Sequence, residues 1–193
     1  MEFKVTLFHH EQNRFYGQVP SQVSHLSKLI SLDLSQNYDL TFDKHTLGRL
    51  VENLTEVRQL FLDDINMSSI NPNALMNLSS SLMTLSLRRC YLRGKFSKNI
   101  LRFPKNIFLL PNLKSIYLRG NQNLALDFPK LNKSSNLELL DLSNTSFSRG
   151  LPDSIGNLVS LKHLLLDHSK VLGSTSIFNI PTCEPYYSHF IIK

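Results

Sequence analysis

Tryptophan is absent from this chain of 193 residues, and cysteine occurs only at Cys90 and Cys183. Neither cysteine belongs to a C-x-x-C pair, so no zinc knuckle or disulfide framework is indicated. Whether the two pair with each other is not legible, because a bridge depends on distance in the fold. No apolar run approaches the roughly 18 residues a membrane-crossing helix needs. The opening stretch MEFKVTLFHHEQNRF lacks the apolar core of a signal peptide. Phosphate-binding and nucleophile-elbow glycine motifs are missing too. His9, His10 and Glu11 read as a solvated run, and His163 and His168 are too loosely spaced for a zinc pair. The expectation is a chain that is not an enzyme and holds no metal or cofactor.

One further absence is regional. Between Ile65 and Leu126 there is no Asp or Glu, while nine basic residues occur: Arg88, Arg89, Arg93, Lys95, Lys98, Arg102, Lys105, Lys114 and Arg119. Upstream, Asp33, Asp39, Asp43, Glu52, Glu56, Asp63 and Asp64 tilt the charge the other way. The whole chain is basic, at +6 with a pI near 9.4, which raises nucleic acid as a partner. The basic residues fall on different faces of the arrangement derived next, so no continuous phosphate-tracking stripe is expected. Otherwise the composition is globular, with 41% hydrophobic and 19% charged residues.

What is abundant is leucine at fixed spacing. LISLDLSQN, VRQLFLDDI, LMTLSLRRC, LKSIYLRGN, LELLDLSNT and LKHLLLDHS share the form L-x-x-L-x-L-x-x-N with conservative replacements. Their final leucines, Leu34, Leu62, Leu87, Leu118, Leu142 and Leu166, follow one another at intervals of 28, 25, 31, 24 and 24 residues. A damaged earlier copy is expected around His10, one interval of 24 before Leu34, with Asn13 in the Asn position. Alternating leucines form a short strand with one apolar face. One such strand cannot bury its leucines alone, whereas stacked copies make a continuous apolar spine.

The pattern resembles the leucine-rich repeat. It implies an α/β solenoid, right-handed, of about seven coils of ~24 residues, with a parallel β-sheet on the concave face. A helix is expected over Leu47–Asn53, in the longer second coil. The residues three places after each anchor turn inward and form a structural ladder: Asn13, Asn37, Cys90, Asn121, Thr145 and Ser169. Each polar member contributes a net of about 0.5–1.5 kcal/mol by bonding backbone of neighbouring coils. Ile65 cannot, so the second coil is the expected weak link.

The 31-residue interval contains FSKNILR followed by FPKNIFL, two similar seven-residue stretches. Removing one restores 24, so residues 96–109 read as an internal duplication that bulges outward. The added closure entropy is only about 0.2 kcal/mol. A basic binding loop built on Lys98, Arg102 and Lys105 is the alternative.

The half-repeats NRFYGQVPSQVSHLSKL and TSFSRGLPDSIGNLVSL are more specific. They resemble the plant extracellular subtype of leucine-rich repeat, and the chain from about Asn13 to Leu172 is similar to plant leucine-rich-repeat receptor-like proteins. These are kinase-less, membrane-anchored receptors, many of them disease-resistance proteins. The resemblance implies part of an ectodomain, a glycoprotein on the extracellular side of the plasma membrane, working in defence signal transduction through a co-receptor kinase. Membrane attachment would come only through a segment missing from this chain. A secreted inhibitor or scaffold without an anchor, or a truncated product, are the alternatives. Residues 1–12 read as a degraded first coil or non-native start, 13–172 as the repeat domain and 173–193 as a frayed tail. Without caps, the apolar edges at Phe8–His10 and Leu164–Leu166 are expected to be exposed.

Five glycosylation signals, at Asn53, Asn66, Asn77, Asn132 and Asn144, fit a secreted parent. Residues alternating with the buried leucines line the concave face. There, Phe61 and Tyr117 are expected as exposed aromatics bracketing Arg88, Arg89 and Arg119, a composition typical of interaction hot spots. An extracellular peptide, protein or acidic oligosaccharide suits those arginines better than nucleic acid does.

Overall fold

The computed structural model describes residues 3–6, 15–43, 45–92, 95–96, 99–100, 103–124, 126, 128, 130–131, 135–147, 153–171 and 189–191. The strands, in chain order, are β1 (Phe3–Thr6), β2 (Gly17–Gln18), β3 (Leu29–Asp33), β4 (Leu40–Thr41), β5 (Gln59–Phe61), β6 (Thr84–Ser86), β7 (Lys95–Phe96) and β8 (Asn99–Ile100). They continue as β9 (Ser115–Tyr117), β10 (Leu139–Asp141), β11 (Ser146–Phe147), β12 (His163–Leu165), β13 (Lys170–Val171) and β14 (His189–Ile191).

The main sheet has eight strands in the order β1-β3-β5-β6-β9-β10-β12-β14. Every junction is parallel except the last, where β14 runs antiparallel to β12. Register holds across the sheet, so that Asp33, Phe61, Ser86, Tyr117, Asp141 and Leu165 stand side by side. The apolar pattern fixes this register, since a one-residue slip would turn every inward leucine to water. The anchors Leu34, Leu62, Leu87, Leu118 and Leu142 are fully buried, together with Leu32, Leu60, Leu85, Ile116 and Leu140.

Three local findings refine the sequence expectation. The strand that opens the sheet lies earlier than the His10 alignment placed it, because Thr6 stands opposite Asp33 and Val5 opposite Leu32. Val5 packs on the apolar core in the register position of Leu32, which the His10 alignment would have given to Phe8. Helix α1 spans Thr46–Asn53, one residue longer than expected at its start. Asp43 accepts from the amides of His45 and Thr46 just ahead of it. Leu47, Leu50 and Val51 then recur at helical spacing and are buried. The edge expected to stand open at Leu164–Leu166 is occupied instead by β14.

The two similar seven-residue stretches take different structures. The first contributes to the two-stranded antiparallel β7–β8 pair, and the second forms the 3-10 helix Lys105–Leu109. Strands β6 and β9, on either side of the long interval, still pair directly. Phe103 and Phe108, both buried, pack edge-on with ring centres 6.0 Å apart, and Phe128 lies 4.9 Å from Phe108. Arg93, Lys98 and Arg102 lie outside the described residues.

Candidate functional site

Each strand leaves the sheet through a turn of the same build. Two residues after every anchor the backbone enters the left-handed region: Gln36, Asp64, Arg89, Gly120, Asn144 and His168 have φ between 51° and 82°. Arg89, expected as a concave-face binding residue, is thus a turn residue first. Asp, Asn, His and Gly tolerate this conformation, whereas Gln and Arg adopt it less readily. At Gly120 the absence of a side chain is also a matter of space. A Cβ built there would lie 2.7 Å from Arg89 Cγ.

The turn points the next residue inward. Asn121 Nδ2 donates to Leu87 O and Leu118 O at 2.8 Å each, and its Oδ1 accepts from the Leu92 amide at 3.1 Å. One side chain thus ties its own coil to the preceding one. Asn37 Nδ2 donates to Leu34 O at 2.9 Å and Ser35 O at 3.1 Å. Cys90 Sγ lies 3.1 Å from Leu62 O, Thr145 Oγ1 donates to Leu142 O, and Ser169 Oγ reaches the same carbonyl at 2.7 Å. Ile65 is buried as an apolar residue in this column. Asn13 lies outside the described residues. Cys90 is a free thiol whose pKa burial pushes well up, so it stays protonated and inert. Cys183 lies outside the described residues.

On the sheet's solvent side, the expected arginines are brought together, but on unequal terms. Arg89 is committed: its Nε and Nη2 bind Asp64 Oδ1 and Oδ2 at 2.6 and 2.7 Å. Asp64 is itself 2% exposed, and this bidentate pairing raises the guanidinium's proton affinity further. Arg88 stacks over the Tyr117 ring at 4.1 Å. Its Nη1 lies 3.8 Å from Asp63 Oδ2 and its Nε 4.0 Å from Asp141 Oδ2.

Asp63 holds the turn as well, accepting from Ser86 Oγ at 2.6 Å and from the Arg88 amide at 2.8 Å. Burial pushes the Asp63 carboxyl above its ordinary pKa, against the pull of those bonds and of Arg88. Asp141 is almost wholly buried and accepts from the Ser143 amide. Arg119 is different. It is exposed, and among the described residues its side chain makes no hydrogen bond or ion pair.

Arg88, Tyr117 and Arg119 border a shallow depression of about 460 Å³, completed by Arg89, Leu139, Asp141, His163 and Leu165. Two expectations need correcting. Phe61 and Tyr117 are half-buried rather than exposed, because neighbouring coils pack along their flanks. Phe61 also lies outside the depression. The buried partners Asp64 and Asp141 were not expected from the sequence, although for Asp64 the DD of one coil and the RR of the next occupy matching columns. Among the other expected sites, Asn53, Asn66 and Asn77 are exposed and Asn144 is half-buried; Asn132 lies outside the described residues.

Among the described residues no His, Cys, Asp and Glu grouping could hold a metal ion, and no helix is long and apolar enough to cross a membrane. Parallel strands one coil apart, with leucines inside and an Asn-type column tying successive turns, define a leucine-rich-repeat protein. The family model described as Leucine Rich Repeat matches residues 136–158. Receptor-like protein 9DC1 of Solanum pimpinellifolium is 34% identical over 81% of this chain and 17% of its own length. Receptor-like protein Cf-9 of the same species is 35% identical over 74% of this chain and 16% of its own. Receptor-like protein 6 of Arabidopsis thaliana is 34% identical over 80% of this chain and 15% of its own.

The chain belongs to the plant leucine-rich-repeat receptor-like proteins, and it spans about a sixth of the length of these relatives. Among solved structures, it is similar to the leucine-rich-repeat ectodomain of the plant membrane receptor kinase GASSHO1/SCHENGEN3 from Arabidopsis thaliana, solved in complex with Casparian strip integrity factor 2. The identity is 26% and the TM-score 0.50, over 81% of this chain and 20% of that one. The Leptospira interrogans protein LIC12759 shares the fold at 21% identity and a TM-score of 0.50, over 83% of this chain and 48% of that one.

Proposed function

We propose that this chain is a ligand-recognition stretch of a plant cell-surface receptor-like protein, acting in defence signalling. In this reading the chain is a right-handed solenoid of about seven coils, and its ligand is an extracellular peptide, protein or acidic oligosaccharide. The parent sits on the extracellular side of the plasma membrane, anchored through a segment outside this chain, and signals through a co-receptor kinase. Its exposed sequons at Asn53, Asn66 and Asn77 carry glycans, with Asn132 and Asn144 as further acceptors. Recognition, rather than catalysis, is its activity.

The observation that carries this reading is the uncommitted Arg119 beside the Arg88–Tyr117 stack. A guanidinium already bound bidentately, as at Arg89, offers a ligand little. A free one next to an aromatic ring and the apolar edges of Leu139 and Leu165 offers charge and contact area together. The test is titration of the protein with acidic peptides and with pectic oligogalacturonides at two salt concentrations. Binding should weaken with salt and fall about tenfold for Arg119→Ala, while Lys28→Ala on the distant rim leaves it unchanged. Binding that ignores both salt and Arg119→Ala would overturn the proposal.

A further inference from the structure

A second depression, of about 420 Å³, lies at the other end of the same strands. The first gathers where the chain leaves the sheet, around Arg88, Tyr117 and Arg119; the second gathers where the chain enters it. Ile30, Arg58, Met83, Lys114, Ser115 and Glu138 are among its lining residues. Glu138 is shared, with Oε1 3.3 Å from Lys114 Nζ and Oε2 2.6 Å from Lys162 Nζ. Two ammonium groups on one carboxylate leave net positive charge at this end, as the unpaired Arg119 does at the other. Arg58, exposed in the same depression, adds to it.

The two depressions are joined on β9. Ser115 lines one and Tyr117 the other, and residues two apart on a strand face the same way. Lys114 and Arg119 flank that strand five positions apart, a span of at most about 18 Å, which an extended peptide covers in about five residues. Building on the recognition role proposed above, we propose that the depressions form one oblique track for an extended peptide carrying two acidic side chains four or five positions apart, with apolar residues between them. Charge alone would suit a polyuronide as well. The apolar surface between the cations separates the two: Ile30 and Met83 at one end, Tyr117, Leu139 and Leu165 at the other. These side chains are half-buried, so each still has apolar area to cover. A peptide brings ionised and apolar groups to both, whereas a polyuronide would set hydroxyls against Met83 and Leu139. Two weak charge contacts joined through one chain reinforce each other, because the second forms within the complex. The spacing of the acids, rather than their number, therefore sets the affinity.

The test is fluorescence anisotropy of the full chain with labelled octapeptides of alanine, serine and valine. These carry a single aspartate, two adjacent aspartates, or two aspartates four or five positions apart. The separated pair should bind at least about tenfold tighter than the other two designs. Lys114→Ala should remove that advantage and leave the single-aspartate peptide unchanged, whereas Arg119→Ala should weaken every peptide. Lys114→Ala keeps Glu138 paired with Lys162, so its melting temperature should match that of wild type. A galacturonate trimer should compete more weakly than the separated pair. Affinity that ignores aspartate spacing or Lys114→Ala would overturn the track, while a loss on Arg119→Ala alone would leave the recognition role standing. If neither variant matters, or no peptide binds, both fall. A trimer that outcompetes the separated pair and loses as much to Lys114→Ala would overturn the peptide as occupant.

Discussion

The strand half and the outer half of each coil answer to different constraints. Anchors recur at intervals from 24 to 31 residues, yet β3, β5, β6, β9, β10 and β12 pair without a slip. Over the same coils the outer half is an α-helix once and a 3-10 turn in three coils, one of which adds the β7–β8 pair, while the β9–β10 coil has no helix among the described residues. The difference is in what each half buries. A strand residue out of register puts leucine into water, whereas an outer segment need only return the chain to the next strand.

The comparison breaks most severely at the spine. Leu142→Asp places a carboxylate where no polar partner exists and should remove more than about 4 kcal/mol. Circular dichroism of the soluble fraction should find no folded protein, and a cooperative melt would refute the argument. Next comes the inward column. Asn121→Ala strips partners from Leu87 O, Leu118 O and the Leu92 amide, and should lower stability by about 2–4 kcal/mol in urea unfolding. A loss below about 1 kcal/mol would mean that water replaces the side chain.

The exit turns rank third. Gly120→Ala meets both the positive φ and the Arg89 side chain, and should cost about 1–2 kcal/mol. Arg89→Ala is not an equivalent probe, because it leaves the buried Asp64 unpaired. The smallest effect is expected in the outer half. Deleting residues 96–102, one of the two similar stretches, should change stability by less than about 1 kcal/mol, with the urea m-value nearly unchanged. A deletion that unfolds the protein would show that the outer half is as constrained as the strands.

Much of the fold could be read from residues alone, and the site much less so. The six anchor leucines, the helix near Leu47 and the inward roles of Asn37, Cys90, Asn121, Thr145 and Ser169 follow from local periodicity. Asp63 and Asp64 against Arg88 and Arg89 were visible as aligned columns, but their burial was not. Column alignment gives adjacency without depth, and depth decides whether a charge is spent or available. The same limit explains Phe61 and Tyr117, whose alternation gave the correct face but not the half-burial that neighbouring coils impose.

The sequence by itself determined the repeat, the inward leucines and the order of the parallel strands, because a period of two within each strand and a recurring interval between strands specify both. Tertiary structure alone decided which arginine is free and that His189–Ile191 returns to close the edge. Each of those depends on a neighbour some 24 or more residues away, whose distance and burial no local pattern encodes.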